Sequence, residues 1–137
     1  MLGNVLYKSN RFYKSVVKMT SQKGGINMKS KRAKALDISA SVKKKVFERD
    51  RGRCVICGSS YNVMPNSHFV RRGRGGLGIE ENIFTACTNL TENRCHERYD
   101  RFKCTDVEKQ LIILNFKRHY PNWNEEDLYY NKQKNLP

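Results

Sequence analysis

Cysteine, histidine and one aspartate have the spacing to do chemistry in this chain. Cys54-Val55-Ile56-Cys57 brings two thiolates onto one tight knuckle. That is half of a tetrahedral metal site. The other half must come from farther along, and Cys87 and Cys95 are the candidates. Seven residues, Thr88 to Arg94, intervene between them. The usual spacing is two, so Cys104 stays open as a replacement for either. Four cysteine ligands would leave no position for water, which makes such a site structural and zinc its natural occupant.

A second constellation runs Ser67-His68, Asn82, His96 and Asp100. On a helix, His96 and Asp100 at i and i+4 share a face, so an imidazole nitrogen and a carboxylate oxygen can converge on one catalytic divalent cation (Mg²⁺, Mn²⁺ or Ni²⁺). Water and a substrate phosphate oxygen would complete its shell. Activating that water near neutral pH requires a base, and histidine has the suitable pKa, which is the role expected of His68. Asn82 could orient His68 through its backbone or ring.

Charge narrows the substrate. The 137 residues carry 27 Lys and Arg against 13 Asp and Glu, a formal net charge of +14. Such an imbalance is unlike a typical metabolic enzyme and favours a polyanionic partner, nucleic acid ahead of a membrane surface. The longest apolar run of note, residues 111–114, is far below the roughly 20 residues of a membrane span. The N-terminal stretch is basic and lacks the apolar block of a secretory signal. Reduced, metal-binding cysteines are therefore expected, in a cytoplasmic setting.

These groups need elements to position them. The expected fold is α+β, one compact unit with extensions. Residues 1–35 read as a flexible basic arm, with Met28 as an alternative start. A helix should begin at a Ser39 or Ser41 cap, bury Val42, Val46 and Phe47, and end near Asp50 before Gly52. Residues 62–64 and 68–70 read as a β-hairpin turned by Pro65 and Asn66. The glycine- and arginine-rich stretch 71–79 reads as a mobile loop. Residues 83–86 form a buried segment, 95–103 a helix, and 106–119 an amphipathic helix with Val107, Leu111, Leu114 and Phe116 on its apolar side, stopped by Pro121. Trp123 and the acidic 124–130 segment suggest a last short helix, so that 36–104 is the core and 105–137 a helical extension. Arg71, Arg72 and Arg74 follow His68 closely enough to neutralise phosphates beside a cut. Lys43, Lys44 and Lys45 would add non-specific affinity. Nothing reads bases.

Over about residues 42–103, the segments VFERDRGRCVICGS, SHFVRRGRGGLGIEENIFTAC and CHERYD together resemble the HNH endonucleases, more narrowly the small phage and prophage members with a CxxC pair. The resemblance implies a ββα-metal core beside a structural zinc, with His68 as general base, Asn82 as its orienting partner, His96 as metal ligand and Asp100 as a further ligand. It implies DNA cleavage to 5′-phosphate and 3′-hydroxyl ends inside a bacterial host cell. A duplex cut would need a homodimer or two visits, and restriction or phage packaging machinery are candidate partners. Relatives carry an acidic residue or a second histidine immediately before the base, where this chain has Ser67. That departure leaves three alternatives: metal affinity is weakened, Asp100 or Glu81 takes over the ligand's job, or the protein is an inactive member, a zinc-stabilised module that binds nucleic acid without cutting it. A protein-interaction domain, suggested by the aromatic and acidic segment 123–130, explains the histidines less well.

Overall fold

A computed structural model describes residues 29–134 of the chain. The start at Met28 and most of the expected basic arm lie outside the described residues. Within them the arm is already helical: α1 spans Lys31–Leu36, capped by the Ser30 side chain, which accepts from the Ala33 N–H. Leu36 is buried and anchors α1 to the body.

Helix α2 spans Ala40–Arg49, and Ser39 is its cap, accepting from the Val42 N–H. It buries Val46 and Phe47 and ends as expected at Asp50. Arg51 and Gly52 then take left-handed backbone angles (φ 57° and 64°), which turn the chain into the CxxC knuckle.

The hairpin expected within residues 62–70 does not form. Residues Val63–His68 are one continuous strand, β1, paired antiparallel with β2, Ile83–Cys87. Val63 faces Cys87 and His68 faces Ile83, with an irregularity between Met64 and Ser67. The physical reason is Pro65: lacking an N–H, it fits where the ladder is interrupted and need not reverse the chain. Along β1 burial alternates, with Val63, Pro65 and Ser67 inward, whereas every residue of β2 is buried. The expected buried segment is thus the more deeply buried strand of a two-stranded sheet.

The loop after β1 is packed rather than mobile. Arg72–Arg74 form a 3₁₀ turn, Gly76 bridges Tyr129, and the Leu77 N–H donates to the Leu128 carbonyl. A Cβ on Gly76 would lie 1.7 Å from the Val70 oxygen, and one on Gly78 2.0 Å from the Asp37 oxygen. These two glycines serve close backbone approach.

Helix α3 spans Cys95–Asp100. Helix α4, Asp106–His119, starts at a reciprocal Thr105/Glu108 capping box. Its buried face is Ile112 and Phe116, while Val107, Leu111 and Leu114 are exposed, so the expected apolar side is correct only at Phe116. The final element is a 3₁₀ turn, Glu125–Leu128, whose Leu128 is buried. Phe69 packs edge-on against Phe116 and Trp123, and Phe84 edge-on against Tyr99. Full burial of Phe47, Phe84 and Phe116 stabilises the fold by roughly 2–3 kcal/mol each.

A buried ion pair ties these layers together. Arg49 and Asp50 bond to each other; Arg49 also donates to the carbonyls of Glu80 and Ile83. Asp50 accepts from the Thr85 N–H in β2 and from Asn115 in α4. One charged pair thereby fixes α2, β2 and α4 relative to one another. No described helix is long and apolar enough to cross a membrane.

Candidate active site and metal centre

The knuckle after α2, the end of β2 and the start of α3 bring four cysteines together. The Sγ atoms of Cys54, Cys57, Cys87 and Cys95 all lie within 4.8 Å of one another, and Cys57 and Cys87 are 4.0 Å apart. Metal–sulfur bonds of about 2.3 Å at tetrahedral angles put ligand sulfurs roughly 3.8 Å apart, so the cluster fits one metal ion. Backbone amides support it: Cys57 N–H points at Cys54 Sγ and Cys95 N–H at Cys87 Sγ. Gly58, at φ 77°, lets the knuckle close with its N–H on the Cys54 carbonyl. The Cys54 thiol is acidified, first by the hydrogen bond from Cys95, whose own thiol is raised by the same contact. Protons shared among packed sulfurs are those a metal displaces. Cys104 is outside the cluster and half-buried, which closes the alternative in favour of Cys87 and Cys95.

A cavity of about 260 Å³ is lined by Asn66, His68, Arg71, Arg72, Gly73, His96 and Asp100. His68 ends β1. Its Nε2 lies 3.0 Å from the Leu36 carbonyl oxygen. A carbonyl can only accept, so Nε2 carries the proton and the lone pair of the neutral ring is on Nδ1. Burial lowers the His68 pKa, reinforced by the nearby Arg72 charge, so the ring stays neutral below the ordinary histidine range.

His96 and Asp100 face one another across one turn of α3, with His96 Nε2 3.3 Å from Asp100 Oδ2. Adjacent ligands of a six-coordinate cation with ~2.1 Å bonds are roughly 3 Å apart, so this pair can hold one divalent ion. The other ring nitrogen, Nδ1, is 2.6 Å from the Ser67 hydroxyl. Ser67 is fully buried. It therefore fixes the ring plane of His96, the kind of contact that orients an imidazole able to bind a metal. Glu81 lines a different cavity, beside Trp123, and cannot supply a ligand here.

Asn82 does not orient His68 directly. Fully buried, its side chain donates to the Val70 and Leu77 carbonyls and accepts from the Val70 N–H. It staples the loop that leaves His68. Arg71 has a structural duty as well: it donates to the Tyr99 and Asp100 carbonyls and covers the ring of Phe102. Arg72 pairs with Asp37. Arg74 lies beyond the cavity, in the neighbouring grooves beside Lys109. Lys43, Lys44 and Lys45 lie on α2 and do not line the cavity; Lys45 is 3.7 Å from Glu80.

Three contributors escape a reading of the sequence. The Leu36 carbonyl is backbone and leaves no residue signature; Asn66 falls in the expected turn; Ser67 reads there only as a poor ligand. No family model matches the chain, and no curated protein or solved structure matches it either.

Proposed function

We propose that this protein is a metal-dependent DNA endonuclease of the HNH type. The observation that carries the reading is the single cavity shared by His68, His96 and Asp100, a lone-pair base opposite a two-ligand cation site with Arg71 and Arg72 at its rim. His68 takes the proton of the attacking water at Nδ1, since Nε2 is committed to Leu36. His96 and Asp100 hold the cation, and Ser67 keeps the His96 ring turned toward it. The bound cation supplies charge stabilisation for the phosphate oxygens and the departing 3′ oxygen. Arg72 lies where it can attract the phosphate backbone. The four-cysteine cluster takes a structural zinc, whose sulfur ligands leave no position for water. The products are 5′-phosphate and 3′-hydroxyl ends.

Calorimetric titration of Mn²⁺ into zinc-loaded protein tests the cation site. Wild type should bind one Mn²⁺, and His96→Ala and Asp100→Asn should weaken it by roughly tenfold or more while keeping their zinc. Equal Mn²⁺ affinity in all three would remove the proposed site. Cation binding without cleavage of any DNA would favour the zinc-stabilised binding module.

A further inference from the structure

Beside the cleavage cavity lies a groove of about 220 Å³ whose walls include Arg71, Arg74, Tyr99, Phe102 and Lys109, with Asp106 at one end. Arg71 borders both, so the two are neighbours. Phe102 stands out at this junction because it is a bulky apolar side chain, 73% exposed. The Arg71 guanidinium lies over its ring, 3.5 Å from the centroid.

Its backbone deepens the anomaly. Phe102 follows α3 in the left-handed region, at φ 59°. The Phe102 N–H bonds the Tyr99 carbonyl and the Lys103 N–H bonds the Arg98 carbonyl. This is the Schellman geometry, in which glycine is the residue favoured at Phe102's position. A β-carbon and an exposed aromatic ring are both unfavourable there, so the ring is retained against the local preference. Outliers of this kind point to function when they sit beside a site.

We propose that Phe102, backed by Arg71, is a stacking platform for an unpaired base, and that the substrate is DNA with single-stranded nucleotides next to the scissile phosphate. The inference rests on the nuclease reading above and names its substrate class. An aromatic face stacks any base, and a cationic groove tracks the strand that carries it. Arg74 and Lys109 supply those cations on the side away from His68, and Tyr129 lines the adjoining cavity past Arg74. A paired duplex buries its base faces and offers Phe102 nothing to stack on.

Fluorescence anisotropy tests this with a labelled mixed-sequence 20-mer, single-stranded or as its blunt duplex, in zinc-loaded protein carrying His68→Ala to prevent cutting. Phe102→Gly suits the backbone, so its melting temperature should equal or exceed the parent's, while single-strand affinity falls roughly tenfold and duplex affinity changes less than about twofold. Phe102→Trp should retain single-strand binding. A 2-aminopurine base in the strand should be quenched by the parent and recover in the glycine variant. The proposal is overturned if the glycine variant binds single strands as tightly as the parent, loses both forms equally, or if the parent binds neither. Cutting by His68-containing protein is scored separately. Cleavage without strand preference removes this inference alone, whereas strand preference without cleavage removes the nuclease reading and the substrate class with it, and leaves Phe102 only as a single-strand binding platform.

Discussion

Asn82→Ala separates a residue that does chemistry from one that holds a loop. The Asn82 side chain makes three hydrogen bonds to backbone, to the Val70 N–H, the Val70 carbonyl and the Leu77 carbonyl, all in a fully buried setting. Truncation strands the Val70 N–H, at about 1–3 kcal/mol, and removes one donor from each of two carbonyls, at about 1 kcal/mol apiece. The expected loss is therefore about 4 kcal/mol. For a domain of this size each kcal/mol moves the melting temperature by about 4 °C, so the variant should melt roughly 15 °C lower. Thermal unfolding with metal content held constant is the assay, followed by plasmid cleavage well below the variant's melting point. Cleavage should be impaired because the loop bearing Arg71 and Arg72 loosens, and the acid limb of the pH profile should keep its position, since Asn82 does not touch His68. A variant that melts within about 3 °C of wild type yet has lost all cleavage would refute this reasoning and return Asn82 to a direct catalytic part.

Three further outcomes follow from the same geometry. Cys104→Ser should retain the bound metal and melt like wild type, whereas Cys87→Ser or Cys95→Ser should lose it, measured by elemental analysis after gel filtration. Asp50→Ala leaves Arg49 buried without its partner and frees the Thr85 N–H, so denaturant unfolding should show a loss of about 3–5 kcal/mol; a loss under about 1 kcal/mol would mean that the pair does not join the layers. The His68 pKa is depressed by burial, so between the ordinary value of 6.5 and its lower folded value the unfolded chain binds the extra proton. Stability should fall as pH drops through that window, a slope that His68→Gln should reduce, while the cleavage rate should hold below pH 6.5 before declining.

Local chemistry was legible in the sequence and tertiary choice was not. A serine cap for α2 at Ser39 or Ser41, its stop at Asp50 and a helix over 106–119 are encoded within a few residues; the structure caps α2 with Ser39, ends it at Asp50 and forms α4 over Asp106–His119. The CxxC knuckle likewise announces half of a metal site, and the spacing of His96 and Asp100 gives their shared face. Pro65 and Asn66 carry a turn signal, but β2 lies well downstream and its pairing overrides that signal, with Pro65 absorbed at the ladder's irregularity. The glycines of the 73–78 stretch read as freedom. Gly76 and Gly78 are instead needed because backbone from Val70 and Asp37 occupies the space of a side chain. On α4 apolar residues occur all round, so periodicity could not choose between the faces of Leu111 and Ile112; packing of Phe116 onto Phe69 and Phe84 did. Asn82 and Ser67 illustrate the same limit at the site, since an amide or hydroxyl declares a capacity to bond and only the fold names the partner.

The central claim is that His68 activates water beside a cation held by His96 and Asp100. Incubating supercoiled plasmid with zinc-loaded protein and Mg²⁺, Mn²⁺ or Ni²⁺ at low salt tests it most directly, alongside a His68→Ala variant whose fold is verified by melting and zinc content. The account predicts nicking or linearisation by wild type that needs the added cation and disappears in the variant. Undiminished cutting by the variant, or a wild type that binds plasmid and never cuts it with any of the three ions, would contradict it.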